Sequence, residues 1–396
     1  MTSILTTKNL EQHRQQFPGL ANKIYFNFGG QGTMPQGAME ALIDAHQYIQ
    51  QKGPFSLKIN AWIQQRVALT KKAIADELGT TPATITLTEN VTAGCNIALW
   101  GIDWQASDRI LMTDCEHSGV IAIVKEICRR FGVEFSTCPI MATLNGGDPV
   151  ATIEQHLQPN TRLVILSHLL WNTGQLLPLA EIVEVCHNYS ASKKPIQILV
   201  DAAQSVGSLP LNLTELKADF YAFTGHKWLC GPAGVGGLYV RPEALNTIDP
   251  TFIGWRGVNL DDRGQPTDWK EDGSRFEVAT SACPLYEGLR GAIVTHQQWG
   301  NDRQRYQEIC QLSEYLWQNL AQIEGIKCLK NSPPEAGLVS FQVNSNMSHD
   351  ELVRALERQG FMLRTIVSPD CIRACVHYFT LPTEIDRLVE EIQKLL

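Results

Sequence analysis

Several common signatures are missing from this sequence. No two of its 11 cysteines form a CxxC pair, and the nearest spacing is Cys371 to Cys375. An odd, scattered set of thiols argues against a secreted disulfide framework and for a reducing cytoplasm. No clustered His/Cys spacing matches a metal site, so no metal is expected. There is no run of about 18 apolar residues, so no membrane span is expected. The N-terminus, MTSILTTKNLEQHRQQFPGL, is polar and lacks the apolar core of a signal peptide. Basic excess is missing too. The net charge is −8, which gives no basic face to neutralise the phosphates of a nucleic acid.

What is present is an ordinary globular composition, 44% hydrophobic and 19% charged over 396 residues. That length suits two or three domain-sized units. Short apolar runs alternate with amphipathic stretches. Strands are predicted at Ile24–Asn27, Thr84–Thr88, Arg109–Thr113, Arg162–Ser167, Ile196–Asp201, Phe220–Thr224 and Val235–Val240. Helices are predicted at Met39–Gln51, Ala61–Leu78, Val120–Phe131 and Leu179–Tyr189. The nearly continuous apolar run RLVILS suits a strand buried on both faces. The alternation predicts an α/β fold with a mostly parallel sheet.

From about residue 291 the pattern changes. One long helix is expected over Ala292–Gln322, then a strand at Gly337–Val343. SHDELVRALERQG carries a capping-box signature at Ser348 and Glu351, with Gly360 placed to end the helix. Short strands near Phe361–Thr365 and Cys371–Val376 precede a last amphipathic helix, TEIDRLVEEIQKLL. The expected division is a large domain of residues 26–290 and a small α+β domain made of residues 1–25 and 291–396.

The chemistry concentrates in ILVDAAQSVGS and FYAFTGHKWLCGPAGVGGLYV. Asp201 ends one buried strand and Lys227 follows the next. Ligands of open parallel sheets collect at the carboxyl ends of the strands, so both side chains should reach one crevice. Alone, each would be a strand-end cap or a surface cation. Together they are the pair that pyridoxal-5′-phosphate (PLP) chemistry needs. A lysine holds the cofactor aldehyde as a Schiff base, and a carboxylate keeps the pyridine nitrogen protonated. In TENVTAGCNIALW, Thr92, Ala93 and Gly94 open a helix whose N–H groups suit a phosphate, although Thr92 could equally be an ordinary cap.

FTGHKWLCGP and LVDAAQSVG resemble the fold-type I, class V aminotransferase family over nearly the whole chain. That family includes cysteine desulfurases, selenocysteine lyases, isopenicillin N epimerase-like proteins and cysteine/cystine C–S lyases, and the sequence most resembles the C–S lyase branch. The resemblance implies Lys227 as Schiff-base lysine and Asp201 as pyridinium partner. It implies Gln204 on the cofactor's phenolic oxygen, Ala203 under the ring and His117 stacked on it. Thr224 and His226 become phosphate contacts. Thr280, in RFEVATSA, would reach the phosphate of a neighbouring subunit, although Ala279 replaces the family's glycine there. That contact implies a homodimer with a shared site. Asn172 would lie near the phenolic oxygen and the substrate carboxylate. Arg373 would grip that carboxylate, with Arg364 as a second candidate, because a planar guanidinium matches a carboxylate bidentately. Trp255 is a candidate for the substrate pocket, or simply packing.

The reaction is narrowed by a cysteine that is not where desulfurases carry it. In RTIVSPDCIRACVHYF no cysteine-bearing insertion separates Arg364–Thr365 from Arg373, and Cys371 and Cys375 fall on the expected strand itself. The expected reaction is therefore β-elimination from L-cystine or L-cysteine, with Lys227 as general base at Cα. It gives pyruvate, ammonia and cysteine persulfide or sulfide, a possible sulfur supply for an iron–sulfur acceptor protein. Desulfuration, selenocysteine lysis or epimerisation on the same fold remain alternatives, as does a non-catalytic sulfur-carrier scaffold.

Overall fold

A computed structural model describes residues 10–192 and 194–396. Its centre is a seven-stranded sheet of β1 (Ile85–Thr88), β2 (Arg109–Thr113), β3 (Glu134–Cys138), β4 (Thr161–Ser167), β5 (Gln197–Asp201), β6 (Phe220–Thr224) and β7 (Gly236–Val240). In these labels the spatial order is β1-β7-β6-β5-β4-β2-β3. Neighbours from β6 to β3 run parallel, whereas β7 is antiparallel to both β6 and β1. This is the expected α/β class.

Alternation along each strand sends successive side chains to opposite faces. Val164, Leu166, Ile198, Val200, Tyr221 and Phe223 enter one core. Leu163, Ile165, Leu199, Phe220 and Ala222 enter the other. Helices α1 (Gln36–Lys52), α2 (Leu57–Leu78), α3 (Val91–Gly101), α4 (Ser118–Phe131), α5 (Leu179–His187) and α6 (Cys283–Trp299) belong to this part of the chain. Of these, α2, α5 and α6 pack on the first face, with Ile74, Ile182 and Leu289 in its core. The second face is covered by α3 and α4 through Leu99, Ile123 and Ile127. Because both faces are covered, the central strands carry apolar residues almost throughout.

Later in the chain come helices α7 (Asp302–Ala321), α8 (His349–Arg358) and α9 (Pro382–Leu395). They accompany an antiparallel sheet of β8 (Ile326–Cys328), β9 (Leu338–Val343), β10 (Arg364–Ile366) and β11 (Cys371–Cys375), in the order β8-β9-β11-β10. Leu316, Phe341, Leu352, Ile372, Ile385 and Leu388 form its core together with Ile24 and Phe26. The capping box at Ser348 and Glu351 is formed.

The single long helix expected over Ala292–Gln322 is in fact two. Gly300 ends α6, and Asn301 starts α7 with a capping box of its own to Gln304. The edge strand β3 was not anticipated, because its residues are mostly exposed and show no apolar alternation. No helix among the described residues is long and apolar enough to cross a membrane.

Candidate active site

The carboxyl ends of β4, β5 and β6 converge on one cavity of ≈ 420 Å³. Parallel strands end together, so Ser167, Asp201 and the turn after Thr224 share one rim. Of the residues expected from sequence, Thr92, His117, Asp201, Ala203, Gln204, Thr224, His226, Lys227, Arg364 and Arg373 all line it.

Lys227 stands in the turn after β6. Gly32 presses on this turn: its N–H donates to the His226 carbonyl at 2.7 Å, and a Cβ at Gly32 would lie 2.2 Å from the Lys227 carbonyl oxygen. Burial pushes the Lys227 amine down to about 8. Asp201 pulls it back up, while Arg373 and Arg364 lower it further. An amine lowered in this way is still mostly charged at pH 7, but it reaches the free base that a nucleophile or general base requires at far lower pH than an ordinary lysine.

Asp201 is buried, and one of its oxygens accepts the Ala203 N–H at 2.9 Å. Gln204 donates from Nε2 to the Gly29 carbonyl and accepts from the Trp228 indole at Oε1, both at 2.9 Å. An amide nitrogen carries two protons, so one N–H of Gln204 remains for a ligand oxygen. Thr224 Oγ1 and His226 Nδ1 are hydrogen-bonded at 2.6 Å. His117 caps α4: its Nδ1 accepts the Gly119 N–H at 3.1 Å. That bond places the ring proton on Nε2, and burial lowers the His117 pKa, so the ring is neutral. Trp171 meets the His117 ring edge-on and ties its own indole to the Cys115 carbonyl.

The start of α3 also faces the cavity, through Asn90, Val91 and Thr92. Asn90 Oδ1 caps the Ala93 N–H, and the Asn90 carbonyl takes the Gly94 N–H. The N–H groups of Ala93 and Gly94, where the sequence reading places a phosphate, bond to Asn90 here, and neither residue lines the cavity. The helix-terminal donors left over are those of Val91 and Thr92.

Arg373, on β11, is 1% exposed. Its Nη1 donates to the Trp171 carbonyl at 2.7 Å, while Nε and Nη2 have no partner. A buried guanidinium with unpaired donors is costly unless an anion completes it. Arg364 lies directly across the β10–β11 pair from it. Like charges placed opposite each other are themselves unfavourable, so the two arginines and Lys227 make a cavity that selects anions. A Cβ at Gly29 would come within 2.9 Å of the Arg373 guanidinium, so a larger residue there would displace that guanidinium.

Three expected residues lie elsewhere. Asn172 is buried, but its amide donates to the Ser368 carbonyl and its oxygen accepts the Thr173 N–H. Thr280 lines a second cavity of ≈ 700 Å³ with Phe252, Phe276 and Val278. Trp255 is 58% exposed. The sequence reading missed Gly29, Asn90, Val91, Ser167, Leu169 and Trp171, which complete the first cavity. Only Asn90 carried a signal, as a cap residue opening a helix.

Among the described residues, Cys230, His296 and His377 form one group close enough to hold a metal. Both nitrogens of each imidazole are already engaged, with Tyr378 and the Leu229 carbonyl for His296 and with the Trp228 carbonyl and the Tyr378 N–H for His377. That leaves neither imidazole a free lone pair to offer an ion.

A sheet with this order, an acid at one strand end and a lysine after the next, defines a class, and the chain belongs to the aminotransferase class-V family, whose model matches residues 24–385. Within that class, the chain is similar to the cystine C–S lyase C-DES, solved with its reaction product cysteine persulfide. The identity is 54%, with a TM-score of 0.94, covering 96% of this chain and 99% of that one. A C-DES mutant with glycine covalently linked to its PLP cofactor gives the same identity and TM-score, over 96% of this chain and 98% of that one. More distant relatives include the isopenicillin N epimerase of Streptomyces clavuligerus, 27% identical over 94% of both chains. The cysteine desulfurase of Haloferax volcanii is 27% identical over 78% of this chain and 73% of its own.

Proposed function

We propose that this chain is a PLP-dependent carbon–sulfur lyase that cleaves L-cystine, or L-cysteine, by β-elimination. The observation that carries this reading is the unpaired, buried Arg373 guanidinium, set beside Arg364 and in the same cavity as Lys227 and Asp201. The residues fit the cofactor. Lys227 supplies an amine of lowered pKa, Asp201 a buried carboxylate for the ring nitrogen, and His117 a neutral ring face. The start of α3, with Thr224 and His226, supplies donors for the phosphate. When bound, PLP provides a sink for the negative charge that develops at the substrate Cα.

The chain's own groups do the rest. Arg373 binds the α-carboxylate and so fixes which Cα hydrogen faces Lys227. Arg364 is more exposed and suits the second carboxylate of a disulfide amino acid. Lys227 takes the Cα proton. The Cβ–S bond breaks, and its electron pair leaves on sulfur as cysteine persulfide from cystine, or as sulfide from cysteine. Water completes the balance to pyruvate and ammonia, and no external oxidant or reductant is needed.

No cysteine lines the cavity. The link between β10 and β11 is the short Val367–Ser368–Pro369–Asp370. Cys371 and Cys375 are wholly buried, and burial pushes the Cys371 thiol up to about 12. Neither is a thiolate nucleophile of the kind desulfuration requires.

This reading extends to the assembly. Phe252, Ile253, Trp255 and Val278 are exposed together around the segment that carries Thr280. A second copy covering this apolar face makes a homodimer and brings Thr280 and Trp255 to a shared site. A cysteine persulfide product would serve an iron–sulfur acceptor protein, and free thiols suit a reducing cytoplasm. The division into residues 26–290 and residues 1–25 with 291–396 belongs to the same proposal. It is supported by a separate core drawn from Ile24 and residues from Leu312 onward, which Phe26 joins from just across the boundary.

The test is product analysis with PLP-loaded protein given L-cystine and, separately, L-cysteine. Pyruvate with ammonia is expected, and Lys227→Ala should lose both the visible cofactor band and the products. Alanine in place of pyruvate would mean desulfuration and would overturn the reading.

A further inference from the structure

Directly before His117, on the turn between β2 and α4, sits Glu116, a carboxyl the chemistry above does not use. It is 5% exposed. Its Oε1 accepts from the Thr113 hydroxyl at 2.6 Å and from the Ser167 N–H at 2.8 Å, and its Oε2 accepts from the Ser167 hydroxyl at 3.0 Å. Thr113 ends β2 and Ser167 ends β4, so this one side chain ties two strand ends together. Ser167 is the register partner of Asp201 on β5. Two buried carboxyls therefore meet at one strand end: Glu116 is bonded to Ser167, and Asp201 is the register partner of Ser167 on the adjacent strand.

Among the described residues no lysine, arginine or histidine pairs with Glu116 in a salt bridge. The charged group acting on it is Asp201. Cys95 on α3, Cys138 on β3 and Cys115 on its own turn feel the Glu116 charge, but burial holds all three as neutral thiols. His117, next in the chain, is neutral. Burial, and after it the negative charge of Asp201, raises Glu116 to about 7, while its three donors work in the opposite sense.

We propose that Glu116 is a positioning residue for Asp201, one that aligns the strand ends beneath the cofactor ring and ionises in step with the neutralisation of Asp201 by a protonated ring nitrogen. The inference rests on the cofactor reading given above. A cation on Asp201 removes the repulsion that holds the Glu116 proton in place, so cofactor binding releases that proton. By linkage, affinity for the cofactor then rises with pH over the range in which Glu116 titrates. A purely structural glutamate would change affinity by the same factor at every pH.

The experiment compares PLP dissociation constants of wild type and Glu116→Gln between pH 5.5 and 8.5, starting from the PLP-loaded proteins and following the visible band. Glutamine keeps the shape and an acceptor oxygen but cannot ionise. The ratio of the variant's dissociation constant to that of wild type should grow several-fold across this range, and about tenfold if the Glu116 pKa changes by one unit on binding. Parallel curves would overturn the inference. If Glu116→Gln does not fold, Thr113→Val removes one donor to Oε1 and should move the wild-type rise in affinity to higher pH, and an unmoved rise overturns the inference just as well. A wild type that takes up no PLP at any pH would instead overturn the cofactor reading itself.

Discussion

Replacing Lys227 with methionine should stabilise the PLP-free protein, and by an amount that depends on pH. Burial depresses the Lys227 amine from 10.5 to about 8. At pH 7 the chain must fold with a charge that its surroundings disfavour. A tenfold loss of proton affinity costs about 1.4 kcal/mol, so the full depression is worth about 3.4 kcal/mol as an upper bound. Lys227 opens onto a cavity that admits water, and screening there reduces the effect to about 1–2 kcal/mol. The sign follows from linkage. The folded pKa lies below the unfolded one, so the penalty is complete below about pH 8 and fades as pH rises towards 10.5. Methionine fills a similar volume and carries no charge. Urea denaturation of wild type and Lys227→Met at pH 7 and again near pH 10.5 measures the gap directly. Methionine should win at pH 7, and its lead should shrink at the higher pH. A variant that is less stable at pH 7, or a lead that does not change with pH, would refute the argument that desolvation sets this amine's pKa.

Two further outcomes follow from the anion pocket. Arg373→Lys should raise KM for the amino acid by roughly tenfold to a hundredfold with a smaller change in kcat, because a point charge replaces a bidentate fork at a buried carboxylate contact worth about 1.5–3 kcal/mol; steady-state kinetics separates the two parameters. Cys371→Ala should leave the yield of pyruvate per cystine unchanged, since its thiol is buried and neutral, and product quantitation checks this.

The parallel strands were legible because burial on both faces writes itself as runs such as RLVILS, and six of the seven strands of the main sheet lie where those runs fall. The edge strand Glu134–Cys138 has one neighbour, β2, and much of its length faces solvent, so EFSTC carries no such run. The break at Gly300 was written in the sequence as Asn301 followed by Gln304, but the apolar periodicity on either side masked it. Lys227 and Asp201 were readable because strand ends bring them to one rim. Gly29 and Trp171 were not. Gly29 meets the site by passing under Arg373 from far away in sequence, and Trp171 contributes largely through a backbone carbonyl that no residue pattern reveals. Glu116 was passed over beside His117 for a related reason. Its importance lies in bonds to two other strand ends, and only the folded register supplies them.

The loop at Gly29 has a consequence for the order in which this protein is made. Gly29 accepts from Gln204 and packs against Arg373, so the cavity wall joins a segment near the start of the chain to one near its end. Chains emerge from the ribosome N-terminus first, at roughly 5–20 residues per second. The main sheet can assemble while synthesis continues, but the wall between Gly29 and Arg373 cannot close until β11 has been delivered. A chain not yet extended to β11 therefore carries Lys227 and Asp201 without the Arg373 guanidinium, and the proposed amino-acid site is incomplete until β11 has been made.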